Sequence, residues 1–101
     1  MGRTTLYFLQ FLTMKTLTTD IILTMENFPA WAEALVRELE LELVEREEGA
    51  DYHQWLVAFE GSRLLLCFQH YADAAWLQPL GEQDRDASDW LTAQWNRGLS
   101  R

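Results

Sequence analysis

A single cysteine, Cys67, stands in this chain of 101 residues, so no intramolecular disulfide can form and zinc sites built from several thiolates are excluded. No linker is long enough to part the chain into units, and residues 1–101 read as a single domain. Cations are scarce: eight Lys and Arg against sixteen Asp and Glu give a formal charge of −8. A surface of that sign repels phosphate backbones, which argues against DNA or RNA as a partner. The sequence has no Walker loop, no dinucleotide fingerprint, no nucleophile elbow and no His-x-x-x-His pair, so catalysis is not expected. The apolar run at residues 6–12 follows Arg3 in the manner of a leader, but no small-residue cleavage site follows and Lys15 closes it early. It is also too short to cross a bilayer, and no membrane partner is expected. Residues 1–13 read as a loosely attached strand, a tail, or an extension upstream of a start at Met14.

What the chain has in quantity is aromatic and acidic side chains. Aromatic residues make up 13% of it, with five Trp, which supplies a heavy core for one small domain. The acids are unevenly placed. Residues 26–51 carry a net −7, against +1 for residues 1–25 and −2 for residues 52–101. This charge keeps a domain soluble and suits a basic protein partner.

The best-specified object is a hairpin around Gly61-Ser62, read as a two-residue type II′ turn because Gly takes φ > 0 without a Cβ clash. Counting outward pairs Glu60 with Arg63, Phe59 with Leu64, Val57 with Leu66, Leu56 with Cys67, Trp55 with Phe68 and His53 with His70. Alternation puts Phe59, Val57, Trp55 and His53 with Leu64, Leu66, Phe68 and His70 on one buried face. The other face, with Ala58, Leu65, Leu56, Cys67, Gln54 and Gln69, is amphipathic. A one-residue slip would bury Arg63 and Gln69, so the pattern opposes it.

Around the hairpin, residues 19–25 read as a strand with Ile21, Leu23 and Met25 on one side. A helix follows, capped by Asn27 with Pro29 in its first turn, and Phe28, Trp31, Ala32, Leu35, Val36 and Leu39 recur at helical spacing. Glu42–Glu48 reads as a strand and residues 49–51 as a turn. Residues 75–80 read as a last strand, at an edge or about to end because Pro79 lacks a ladder donor. Residues 81–84 are a loop. A helix from Asp86 to Arg97, capped by Asp84 or Asp86, then places Ala87, Trp90, Leu91, Gln94 and Trp95 on one side, with Gly98 at its end. The order β-α-β-β-β-β-α implies an α+β fold, an antiparallel sheet of four to five strands with both helices on one face.

The run from His53 through Gly61-Ser62 to Leu66, continuing through His70-Tyr71 to Ala75-Trp76-Leu77, together with Phe28-Pro29 and the helix after it, resembles a family of short bacterial proteins known only as a domain of unknown function. The resemblance covers most of the chain beyond Thr19. It implies a cytoplasmic, single-domain protein of about this size, and it carries no activity, cofactor or catalytic residue.

His53 and His70, if directly opposed, would have Cβ atoms roughly 4.5–5.5 Å apart, near enough to share a metal ion or a proton. A metal would need further ligands, for which Asp51 and Asp73 are the nearby acids; otherwise the pair simply ends the core ladder. Cys67 points to the opposite face with no cation to depress its pKa, so it reads as a small buried hydrophobe. Ser62 is explained by the turn. The clusters Glu45, Glu47, Glu48 and Asp84, Asp86, Asp89 read as solvated charge, not as acids converging in a cleft.

Tyr71, Trp76 and Trp95 are the aromatic residues able to form an exposed patch, unless the terminal helix buries them. The expectation is therefore a small acidic cytoplasmic interaction module without catalytic activity or cofactor. It binds a protein partner or a second copy through that patch and a sheet edge. The alternative is a metal- or pH-responsive domain, enzymatic in one version, centred on His53 and His70. Mimicry of nucleic acid is weaker, since the acids spread around both a helix and a strand.

Overall fold

The computed structural model describes residues 15–100, and the reading of residues 1–13 lies outside them. Helix α1 spans Phe28–Glu38; strands β1 (Glu42–Glu48), β2 (Tyr52–Phe59), β3 (Ser62–Gln69) and β4 (Ala74–Pro79) follow; a 3-10 turn at Glu82–Asp84 leads into helix α2 (Arg85–Ser100). The four strands make one antiparallel meander in chain order. The α+β class, the antiparallel sheet and the two helices are as the pattern of residues predicts.

The strand expected at residues 19–25 does not form, so among the described residues the order begins with α1. Local side-chain bonds take the groups a ladder needs. The hydroxyl of Thr24 accepts the N–H of Asn27 at 3.0 Å, the Asn27 carbonyl oxygen accepts the N–H of Thr24 at 2.8 Å, and the Asn27 amide donates to the Ile22 carbonyl at 2.9 Å. Asn27 stands at the N-cap as expected, but its side chain bonds back to Thr24 and Ile22 in a reciprocal pair of capping-box type and reaches no helical N–H. Ile21 and Ile22 are left exposed. Farther upstream, Thr16 makes an isolated bridge to Trp76, and the Leu17 N–H donates to the Ala75 carbonyl at 2.8 Å along the outer edge of β4.

Helix α1 ends in a tight chain reversal. The Leu41 N–H donates to the Val36 carbonyl at 2.8 Å and the Glu40 N–H to that of Arg37 at 3.1 Å, with Glu40 at φ 57°. That pair of bonds is the Schellman arrangement, and it turns Leu41 back into the core before the period changes from helical to alternating. Phe28, Trp31, Ala32 and Leu35 form the buried stripe of α1. Phe28 meets Trp55 edge-on at 5.6 Å and stacks on Phe68 at 5.5 Å, which seats the helix on the middle of the sheet.

Helix α2 lies on the same side, against β4. Its buried residues are Ser88, Leu91 and Thr92, with Trp95 half-buried against Trp31 at 5.7 Å. The stripe is rotated from the expected Ala87, Trp90, Leu91, Gln94 and Trp95. The Ser88 hydroxyl is satisfied by donating to the Leu77 carbonyl at 3.0 Å, and polar residues with such partners can face a core. Trp90 is pushed outward and stacks on Phe59 at 5.8 Å. Gly98 lies inside the helix, not at its end. Asp84, expected as a cap, instead accepts the backbone N–H groups of Arg63 and Gly81.

The hairpin register differs from expectation by two residues. Phe59 pairs with Ser62, Val57 with Leu64, Trp55 with Leu66 and His53 with Phe68. The turn residues are Glu60 and Gly61, at φ 48° and 88°, which is a type I′ turn in place of type II′ at Gly61-Ser62. A two-residue slip leaves every side chain on its expected face, so Trp55, Val57, Leu64, Leu66 and Phe68 are all buried in one cluster.

Candidate functional site

His53 sits on the helix-facing side of β2, only 3% exposed. Its ring stacks on Phe28 at 4.9 Å with 16° between planes, and Nε2 lies 2.9 Å from the Met25 carbonyl. A carbonyl only accepts, so Nε2 donates in this bond, and Nδ1 lies on the other side of the ring. Nδ1 is 3.9 Å from a Glu48 carboxylate oxygen, beyond hydrogen-bond reach. It borders a small depression of about 120 Å³ lined by Pro29, Arg46, Glu47, Glu48, His53 and Trp55. There the Arg46 guanidinium rests 4.1 Å above the Trp55 ring and bonds Glu33 of α1 at 2.7 Å, pinning the rim of β1 to the helix.

The expected His53/His70 centre does not assemble. His53 faces Phe68, while His70 lies in the turn after β3, exposed, with its ring against Tyr71 at 5.6 Å. Asp73 turns the chain there, its N–H donating to the Gln69 and His70 carbonyls, and the Asp51 carbonyl accepts the His70 N–H at 2.9 Å. Among the described residues no group of three or more His, Cys, Asp and Glu is placed to hold a metal ion.

The proposed aromatic patch is also divided. Tyr71 is 81% exposed. Trp76 alternates with the buried Ala75 and Leu77 and so faces the side of the sheet opposite the helices. Trp95 belongs to the helical side, where its indole N–H donates to the Thr18 carbonyl at 2.7 Å. A four-stranded sheet thus separates Trp76 from Trp95. The exposed tryptophan is Trp90.

A different surface emerges on the sheet face away from the helices. Strand β1 has a bulge between Leu43 and Glu45, where Val44 is the extra residue. One extra residue reverses the alternation beyond it. Leu43 therefore faces the core, but Arg46 and Glu48 also fall on the helical side, opposite Trp55 and His53, while Glu45 and Glu47 pair with Leu56 and Gln54 on the outer face. Glu42 joins them opposite Ala58. Beside this acidic column run Leu56 and Leu65, which oppose each other across β2 and β3. Glu45, Glu47, Gln54, Leu56, Leu65 and Leu80 line a shallow depression of about 220 Å³, and Leu80 is 51% exposed. Tyr52 donates its hydroxyl to Glu47 at 2.8 Å, and that bond to a carboxylate, aided by slight burial and by the charges of Glu47 and Asp51, raises the phenol pKa above its ordinary value. The sequence clue to this surface was Val44 interrupting the alternation, which signals a bulge once β1 is known to be paired.

Cys67 lies on the same outer face but is buried, opposite Gln54 in β2 and Trp76 in β4. Burial pushes its thiol up to about 12. No helix of the described residues is long and apolar enough to cross a membrane.

A family model described as a protein of unknown function, DUF3630, matches residues 10–96. Neither the curated proteins nor the solved structures yield a match.

Proposed function

The chain belongs to this family of unknown function, and from its own surface we propose that it is a non-catalytic protein-interaction domain that engages a basic protein partner. The observation that carries the reading is the seven-residue strand β1. Every acid in it is exposed, and three of them stand on the sheet face beside the half-buried Leu56 and Leu65 and the exposed Leu80. Acidic columns of this kind accelerate encounter with a basic surface, and adjoining apolar area holds the complex once formed. The same charge turns away nucleic acids and opposes a second copy bearing the same column. The state of Cys67, a buried thiol held protonated, supports a role other than nucleophilic catalysis. The family resemblance and the reduced single thiol are in keeping with a cytoplasmic setting.

The test is reciprocal binding with purified components. A partner captured at low ionic strength should, once identified and purified, bind the domain directly, carry a basic surface, and dissociate as salt is raised from about 50 to 500 mM, where screening shortens to a few ångströms. Light scattering across a hundredfold dilution checks the competing outcome. A stable dimer whose interface survives high salt would refute the basic-partner reading, as would failure of every purified candidate to bind.

A further inference from the structure

Resting on that reading, we infer that the docking surface is the outer sheet face bounded by Glu45, Glu47 and Leu80, and that its occupant is a peptide segment of a partner protein in which Lys or Arg flank aliphatic side chains. The edge of β1 is the obvious competitor, since among the described residues β1 pairs with β2 alone. Its bulge and its charges act against strand addition. The bulge breaks the ladder after Leu43, so an added strand could pair continuously with only a short stretch on either side. The depression at His53 is a second competitor. It has about half the volume, and the Arg46 guanidinium, resting on the Trp55 ring, places a cation inside it that repels a basic ligand.

The outer face has both chemistries in one place. Glu45 and Glu47 are two residues apart on one strand, so their side chains emerge on the same side about 6.8 Å apart. Leu56 and Leu65 lie next to them, and Leu80 closes the far rim. A ligand must therefore present cations at one margin and apolar bulk beside them. Tyr52 holds the Glu47 carboxylate through its hydroxyl, which keeps that acid upright on this face in the unbound protein. A preset acceptor lowers the ordering cost of binding.

The experiment uses the full chain and two synthetic ten-residue probes, one alternating Leu with Lys and one alternating Leu with Glu. Isotope-labelled protein is titrated with each, and amide shifts are followed by NMR. The Lys probe should bind, with the largest shifts in β1, β2 and β3 at Glu45, Glu47, Gln54, Leu56 and Leu65. Glu45→Lys with Glu47→Lys should weaken the Lys probe by about tenfold or more and give the Glu probe measurable affinity, because the sign of the rim has been exchanged. Leu80→Ser, at an exposed site where folding is not at stake, should weaken binding of both probes to their matching proteins. Shifts centred on His53, Arg46 and Glu48, or on Trp90 and Phe59, would overturn the location while leaving a basic-partner role standing. Indifference of the bound probe to the charge exchange would overturn it equally. No binding of either probe, together with no basic protein partner, would bring down both readings.

Discussion

The carboxylate of Asp84 accepts the backbone N–H of Arg63 at 3.3 Å through one oxygen and that of Gly81 at 3.1 Å through the other. Asp84 is 5% exposed, so a single acid ties the beginning of β3 to the loop that delivers α2. Two partly buried backbone donors lose their partner if it is removed. Asp84→Ala should cost about 1–3 kcal/mol in urea unfolding, and Asp84→Asn less, because the amide keeps one acceptor oxygen. An unchanged midpoint in the alanine variant would mean the clamp carries no load.

Glu60 occupies a left-handed conformation at φ 48° in a turn type that favours Asn before Gly. Glu60→Asn should therefore stabilise the domain by about 0.5–1 kcal/mol. If the turn were centred on Gly61-Ser62, residue 60 would be a strand position and Asn would weaken it. The sign of the change, read by thermal or urea denaturation, distinguishes the two registers.

The two histidines should behave unlike one another. His53→Ala opens space beneath Phe28 and strips the Met25 carbonyl of its donor, at a cost of about 3 kcal/mol. His53→Phe restores the ring but not the donor and should recover part of the loss. His70→Ala, in an exposed turn, should stay within about 0.5 kcal/mol of the parent. Equal losses for His53→Ala and His70→Ala would contradict the separation seen here.

Cys67 should be inert in the folded protein. With its thiol pushed up to about 12 by burial, it should resist alkylation at pH 8 and react at the rate of global or local opening. The linkage has a definite sign. An unfolded thiol titrates near 9.0, so the contribution of this group to stability is complete below that pH and is lost as pH rises from about 9 towards 12. Cys67→Ala should flatten that alkaline decline, which denaturant midpoints at pH 8, 9.5 and 10.5 will show.

Much of the architecture is legible because it rests on period. The alternation of Trp55, Val57 and Phe59 with Gln54, Leu56 and Ala58 assigns the two sheet faces, and the spacing of Phe28, Trp31, Ala32 and Leu35 assigns the buried stripe of α1. Period is blind to a slip of two. The register at Phe59/Ser62 keeps the same faces as the register at Phe59/Leu64, and so the pairing of His53 could not be decided by pattern. The observed register goes with the local turn at Glu60-Gly61 and with two contacts from farther along the chain, Asp84 accepting the Arg63 N–H and the Leu80 N–H donating to the Arg63 carbonyl. The strand expected at residues 19–25 failed for another reason, since alternating apolar residues there compete with the Thr24–Asn27 box for the same backbone groups.

The candidate surface divides in the same way. Its ingredients, an acidic stretch at residues 26–51 and an amphipathic outer hairpin face, stand in the sequence. Their meeting does not. The bulge at Val44 rotates Glu45 and Glu47 onto the face of Leu56 and Leu65, and turns Arg46 and Glu48 toward Trp55 and His53. Local composition and period determined which residues are apolar, which are charged and which side of a strand they share. Only the tertiary structure decided which of them face one another, because register, bulge and helix rotation depend on contacts between elements, which the period within any one element does not encode.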